Sequence, residues 1–236
     1  MLHVASYNIR KSVGLDWQRD PRRILAVIHE IGADIVALQE VDRRFGSRSA
    51  SLTPQIVAEE SDYELVRLAE RPASVGWHGN AFLVRRHVAV TATRGLALPA
   101  LEPRGAAIAE VDVEGRNLRV VGLHLGLLAL WRRRQADAVL DHLADCEARM
   151  PTVIMGDLNE WSAHGGCLAA FARDHDIAHA GPSFHARRPF AALDRIIVSR
   201  DLAIVDAGVH RSHHAAMASD HLPIWARLAP AEETAA

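Results

Sequence analysis

Apolar and polar positions alternate in short runs along most of this chain, and the period changes from one run to the next. "LHVASYNI" alternates with period two and predicts a strand ending at Asn8. "DPRRILAVIHEIGAD" shifts to a period near 3.6 and predicts a helix. Ile24, Val27, Ile28 and Ile31 share one face, with Asp20 as N-cap, Pro21 in the first turn and Gly32 as the stop. "DIVALQE" then predicts a strand ending at Glu40, so the first forty residues read as a βαβ unit.

The middle of the chain is richer in strands. "YELVRLAE", "NAFLVRR" and "VAVTATRGL" are strand-like, and "GAAIAEVDVEGRNLRVVGLHL" predicts a hairpin that turns at "EGRN" and ends at His124. "RRRQADAVLDHLADCEARM" predicts a helix with Ala136, Val139, Leu140, Leu143 and Cys146 inward. "TVIMGDLN" is the next strand, "SAHGGCLAAFARDHD" the next helix, and "ALDRIIVS", "IVDAGVH" and "LPIWARL" are closing strands. Hairpins mixed with βα units imply an α/β fold of stacked sheets flanked by helices.

Composition narrows this picture. A chain of 236 residues with no Pro/Gly/Ser-rich linker or charge block reads as one domain over residues 1–229, followed by a flexible tail over 230–236. The net charge of −2 provides no global basic field, which argues against non-specific binding of long nucleic acid. Cys146 and Cys167 fit neither a zinc spacing nor a disulfide framework and read as small apolar residues. The start lacks the order of a signal peptide, and no apolar run reaches the ~18 residues of a membrane span. The expected location is the cytoplasm, with the inner face of the membrane as a place of peripheral contact.

Polar groups recur where apolar strands end. Asn8 closes "SYN", Glu40 closes "LQE", His124 closes "GLH", and Asp157 and Asn159 sit in "GDLN"; Asp194 lies in "ALDRII", and Asp220 and His221 in "SDHLPI". Taken singly, Asn8 reads equally as a turn residue, Glu40 as a surface charge and His124 as a satisfied core histidine. Taken together, so many ionisable groups beside apolar strands are costly unless they neutralise one another or bind an ion, so they are expected to converge on one cleft. Asn8, Glu40 and Asp220 supply the oxygen ligands that a hard divalent cation takes. His124 and His221, beside carboxylates, can move protons near neutral pH. These are the parts for attack of water on a phosphoester.

The motifs "SYNI", "LQE", "GNAFLV", "GLHL", "GDLN", "ALDRI" and "SDH", in this order over residues 3 to about 228, resemble the endonuclease/exonuclease/phosphatase superfamily, the DNase I-like fold. The resemblance implies a four-layer α/β sandwich of two mixed sheets, a site at one edge, Mg²⁺ or Mn²⁺ as cofactor, and phosphoester hydrolysis. It places Glu40 as main metal ligand with Asn8 and Asp220 nearby. Asp157 and Asn159 position the water and the phosphate. His221, oriented by Asp194, is the general-base or phosphate-contacting histidine, with Asp157 as the rival base, and His124 is the second catalytic histidine. Where abasic-site endonucleases carry a Tyr-x-Pro-Asn type stretch this chain has "GLHLGL", which disfavours a DNA-repair role.

Substrate contacts are expected from Arg43 and Arg44 beyond Glu40, from Asn80 in "WHGNAF", and from Trp131. "LGLLALWRRRQ" joins apolar residues to Arg132, Arg133 and Arg134; it suits an anionic membrane surface, seating of the next helix in the core, or stacking on nucleic acid. "HRSHH" (210–214) reads as a solvated loop. The expected activity is therefore that of a metal-dependent phosphodiesterase acting on a small or lipid-like phosphodiester. The alternatives are a nuclease or a non-catalytic phosphate-binding module, and no obligate protein partner is expected.

Overall fold

The computed structural model describes residues 1–43, 49–68, 73–101 and 104–231. Twelve strands and five α-helices lie among the described residues. In chain order they are β1 (Leu2–Asn8), α1 (Pro21–Ile31), β2 (Ile35–Gln39), α2 (Pro54–Glu60), β3 (Tyr63–Val66), β4 (Ala81–Arg85), β5 (Val88–Ala97), β6 (Gly105–Val113) and β7 (Arg116–His124). They continue with α3 (Ala129–Ala144), β8 (Thr152–Asp157), α4 (Leu168–Phe171), β9 (His175–Ile177), β10 (Asp194–Ser199), β11 (Leu202–Val209), α5 (Ala215–Ala218) and β12 (Ile224–Pro230).

Two six-stranded mixed sheets result, in the orders β11-β12-β1-β2-β4-β3 and β5-β6-β7-β8-β10-β9. Each contains one parallel pair, β1–β2 in the first and β7–β8 in the second, bridged by α1 and α3 respectively. All other pairings are antiparallel. Residues alternate between faces as period two requires. Val4, Ile35 and Ala37 join Phe82, Val120, Val153, Met155 and Ile196 between the sheets. Ala5, Val36 and Leu38 pack outward on Ile24, Val27 and Ile28 of α1. On the far side Val121, Leu123 and Ile154 meet Ala136 and Val139 of α3 and Leu168 of α4. The layering is helix, sheet, sheet, helix.

Local chemistry sets the ends of α1. The Asp20 carboxylate accepts from the N–H groups of Arg22 and Arg23, and Gly32 takes the left-handed conformation at the stop. The β6–β7 hairpin turns at Glu114 and Gly115, both at positive φ, as a tight two-residue turn demands.

Some expectations change. The helix read over 162–176 reduces to the single turn of α4, and the residues after it form the short edge strand β9. Helix α3 begins before Arg132 and ends at Ala144, so Cys146 lies beyond it and is half-buried rather than an inward helix residue. Helix α2, with Thr53 as its cap and Pro54 in its first turn, has no counterpart in the sequence reading. The tail expected over 230–236 lies mostly outside the described residues, and β12 runs to Pro230. No helix among the described residues is long and apolar enough to cross a membrane.

The His210–His214 stretch is also more than a solvated loop. His210 Nε2 and His214 Nδ1 lie 2.8 and 2.6 Å from the two oxygens of Glu30, near the end of α1. Burial would raise the Glu30 carboxyl, but hydrogen bonds from Ser212, His210 and His214 outweigh it and hold its pKa at about 2. A depressed carboxyl stabilises the fold above its unfolded pKa and loses that contribution as pH falls toward the folded value. Wild type is therefore expected to resist urea better than Glu30→Gln at pH 7, with the advantage shrinking as pH drops below about 4.5. A pH-independent difference in urea midpoints contradicts the assignment.

Candidate active site

The two parallel pairs put four carboxyl strand ends on one edge. Asn8 registers beside Gln39, the last residue of β2, so Glu40 follows immediately. In the other sheet His124 registers against Asp157, and Asp157 pairs with Asp194 at the start of β10. Ligands in open α/β sheets bind beyond such carboxyl ends because loops diverge there and leave a crevice. Gly156 lets β8 reach this edge: a Cβ on it would lie 2.0 Å from the carbonyl oxygen of Leu123.

Asp157 is the hub. Its Oδ2 accepts from Asn8 Nδ2 at 3.0 Å, across the two sheets. The same oxygen faces His124 Nε2 at 3.5 Å and His221 Nε2 at 3.6 Å, ion-pair rather than hydrogen-bond distances. Its Oδ1 accepts from the backbone N–H of Asn159. Asn159 sits at positive φ and donates its amide to the Leu125 carbonyl, which folds the loop back toward β7.

His221 is held from behind. Its Nδ1 lies 2.9 Å from Asp194 Oδ2, which also accepts from the Ser183 hydroxyl. Burial would lower the His221 pKa, but Asp194, then Asp157 and Asp220, raise it further, to about 10. The folded state thus favours the imidazolium. That contribution is complete below about pH 6.5 and is lost as pH rises through about 10. Phe184 covers the ring at a centroid distance of 4.9 Å.

The oxygen ligands expected for a cation lie on the β1–β2 side. Glu40 stands at positive φ just past β2, and its carboxylate is met by the ammonium of Lys11. Asp220 pairs with Arg10 Nε at 3.4 Å. Ser219 links the two sides by donating to the Asn8 carbonyl and lying against the Asp220 carboxylate. Arg10, Lys11 and Ser12 are three successive residues at positive φ, an uncommon backbone of the kind that clusters at functional sites. Two carboxylates and an amide oxygen suit a hard divalent cation, and the chain's own cations at both carboxylates show that the place accepts positive charge. Among the described residues, Asp157, Asp194 and His221 also bring one ligand atom each within 4.8 Å of one another and form a second group able to hold a metal.

The structure therefore brings together Asn8, His124, Asp157, Asn159, Asp194 and His221, with Glu40 and Asp220 on the flanking strand ends. Asn80 is fully buried and donates to the Gly105 and Trp77 carbonyls, which fixes the turn before β4 to the other sheet. Arg43 is exposed just beyond Glu40. Arg44 lies outside the described residues. Trp131 is half-buried in the first turn of α3, with the Arg134 guanidinium 5.2 Å from its ring centre. Of the three consecutive arginines, Arg132 does not belong to a basic stripe. It is buried and pairs with Glu160 at 3.3 Å. Arg10, Lys11, Ser183 and Ser219 were not found from sequence. The "NIRKS" run directly after Asn8 was the signal for the first two.

A family model described as the endonuclease/exonuclease/phosphatase family matches residues 5–221. The chain belongs to this family, whose members hydrolyse phosphoesters and are typically dependent on divalent metals. Similar solved structures include a family member from Bacteroides vulgatus, with TM-score 0.80 and 18% identity over 97% of this chain and 98% of that one. A mannosyl-6-phosphatase from Bacteroides thetaiotaomicron gives TM-score 0.76 and 19% identity over 97% and 100% of the two chains. The human Nocturnin catalytic domain gives 0.76 and 20% over 97% and 94%. At these identities the likeness shows the fold alone. A search of curated protein sequences finds no match.

Gly156 has no room for a side chain against the β7 backbone. Gly156→Ala is expected to lower stability by about 1–3 kcal/mol in urea unfolding, as overpacking does. An unchanged midpoint means that β7 and β8 are not in this close approach.

Proposed function

We propose that the chain is a metal-dependent phosphodiesterase that hydrolyses a small or lipid-like phosphodiester by attack of water. The observation that carries this is the convergence on one Asp157 oxygen of Asn8 and both histidine Nε2 atoms, with Asp194 behind His221. Asn8, Glu40 and Asp220 would hold the cation. When bound there, Mg²⁺ or Mn²⁺ supplies charge neutralisation at the phosphate.

The side chains divide the remaining work. Asp157 Oδ2 and His221 Nε2 lie 3.6 Å apart, so a water would sit beside the two rather than between them, and Asp194 fixes the far side of the ring so that Nε2 points inward. The proton leaving the water goes to the Asp157 carboxylate, while His221, held as the imidazolium by Asp194 and Asp157, supplies positive charge beside it. His124, on the other side of the same oxygen, donates toward phosphate oxygens. Asn159 holds the loop beneath the phosphate.

A nuclease is the second reading, supported by Trp131 with Arg134 stacked on it beside the exposed Arg133. A panel of bis-p-nitrophenyl phosphate, p-nitrophenyl phosphate, phospholipids, plasmid DNA and RNA, each with Mg²⁺ or Mn²⁺ and with excess EDTA, separates the readings. Diester turnover that EDTA abolishes is expected. No turnover on any substrate leaves a phosphate-binding module.

Glu40→Gln is expected to weaken Mn²⁺ binding in calorimetry and to cut turnover while leaving the melting temperature near that of wild type. Asp194→Asn is expected to leave Mn²⁺ affinity near wild type. The reverse result moves the cation to the Asp157–Asp194–His221 group.

Asp194→Asn and His221→Ala are each expected to lose roughly 10²–10⁴ in rate on a soluble diester. Their double variant is expected to lose little more than either single one, because they act together. Additive losses in kcat contradict the pairing.

A further inference from the structure

We propose that the rim of the active site on the β7–β8 side docks on an anionic lipid bilayer. This rests on the reading of the neighbouring site as a hydrolase of a lipid-like diester, and it names the surface on which that substrate would be met. Leu127, Leu128, Leu130, Trp161 and Phe190 are each between 58 and 67% exposed. They come from three separate segments, the start of α3 with the loop before it and two further loops, and the fold gathers these beside the site.

The gathering is built by named contacts. Leu127 lies three residues past His124, and Leu128 is the N-cap of α3. Arg132 donates to the Leu127 carbonyl and pairs with Glu160, which stitches this loop to the one carrying Trp161. Glu160 also accepts from the N–H groups of Ser162 and Cys167, so both flanks of Trp161 are held. The Trp161 ring lies 6.0 Å from Phe190, Phe190 lies 6.0 Å from Phe184, and Phe184 covers His221. An exposed apolar ridge therefore leads from α3 to the catalytic histidine.

Charge selects the occupant. Arg133 and Arg134 are exposed and lie three and four positions beyond Leu130, on its face of the helix. Arg187 and Arg188 are exposed in the loop before Phe190. Of the described acids nearby, Glu160 is buried and neutralised by Arg132, and Asp137, one turn further along α3, is exposed and lies 4.0 Å from Arg173. Apolar side chains to insert, interleaved with cations, complement an anionic headgroup layer over hydrocarbon. Nucleic acid fits less well. Three of the five exposed side chains are leucines, which offer no ring to stack on bases, and the chain carries no global basic field. Arg132 is excluded from the surface, and Trp161 and Phe190 replace it as contributors.

Co-sedimentation of the full chain with phosphatidylglycerol and phosphatidylcholine vesicles tests this without turnover. Binding to the first and little to the second is expected, weakened by salt. Leu127→Ser with Leu130→Ser is expected to lose about tenfold in vesicle affinity. Gln at Arg133, Arg134, Arg187 and Arg188 is expected to lose about fivefold per charge. Both variants are expected to keep wild-type melting temperature and turnover of bis-p-nitrophenyl phosphate. Equal affinity for the two vesicles, affinity unmoved by the leucine changes, or oligonucleotide binding lost in the arginine variant with no vesicle binding by wild type each overturns docking. Vesicle binding with no diester hydrolysis sustains docking and removes the hydrolase reading; hydrolysis without vesicle binding does the reverse.

Discussion

The hydrogen bond from the amide of Asn8 to the carboxylate of Asp157 crosses between the two sheets at the centre of this edge, with Asn80 on the Gly105 carbonyl and His221 on Asp194 to either side of an otherwise apolar contact. Apolar packing is non-directional and tolerates sliding, whereas a charge-assisted hydrogen bond fixes position to fractions of an ångström. The oxygen that accepts it is also the one both histidines face. One atom therefore takes part both in joining the sheets and in placing the reacting groups. Asp157 is almost fully buried, so losing a partner leaves charge in an apolar surrounding, which couples site integrity to folded stability.

Each sheet supplies its half of this arrangement by the same device. A strand, a helix and a parallel strand bring two carboxyl ends together: Asn8 with Glu40, and His124 with Asp157. The residue just past or near each second strand, Glu40 or Asn159, turns through a left-handed conformation. A turn of this kind aims a side chain back over the strand ends rather than out along the loop. Of the remaining groups, Asp194 arrives on the antiparallel strand β10 by pairing with Asp157, and His221 arrives in the connection between α5 and β12, following Ser219, which is bonded to the Asn8 carbonyl.

Much of this was legible in the sequence because each functional side chain borders an apolar run, at its end or its start, and such boundaries survive errors in assigning everything else. Helix α1 was legible because Asp20, Pro21 and Gly32 mark its ends chemically. Helix α2 carries comparable marks in Thr53 and Pro54 but buries one residue, Val57, so its periodicity is faint. The helix read over 162–176 failed because Glu160 takes the Ser162 and Cys167 N–H groups and Gly166 turns beneath it. Arg10, Lys11, Ser183 and Ser219 were illegible, since their partners lie on other strands. The three adjacent arginines show a finer limit. Adjacency suggested one stripe, yet Arg132 shares the inward face with Gln135, Ala136 and Val139, at the helical spacings of three, four and seven.

The long reach of the site contacts has a bearing on biosynthesis. Asn8 waits for Asp157 across 149 positions of chain, and the Asn8 carbonyl waits for Ser219 across 211. Closures of this length come late, because the entropy of the intervening loop must be overcome before they are rewarded. In synthesis Asn8 and Glu40 emerge well before Asp157 and Ser219, so no complete centre exists until those later segments have left the ribosome and both sheets have met. The chain thus carries its own safeguard: an unfinished or half-folded copy has no assembled hydrolytic site with which to attack the phosphoesters around it.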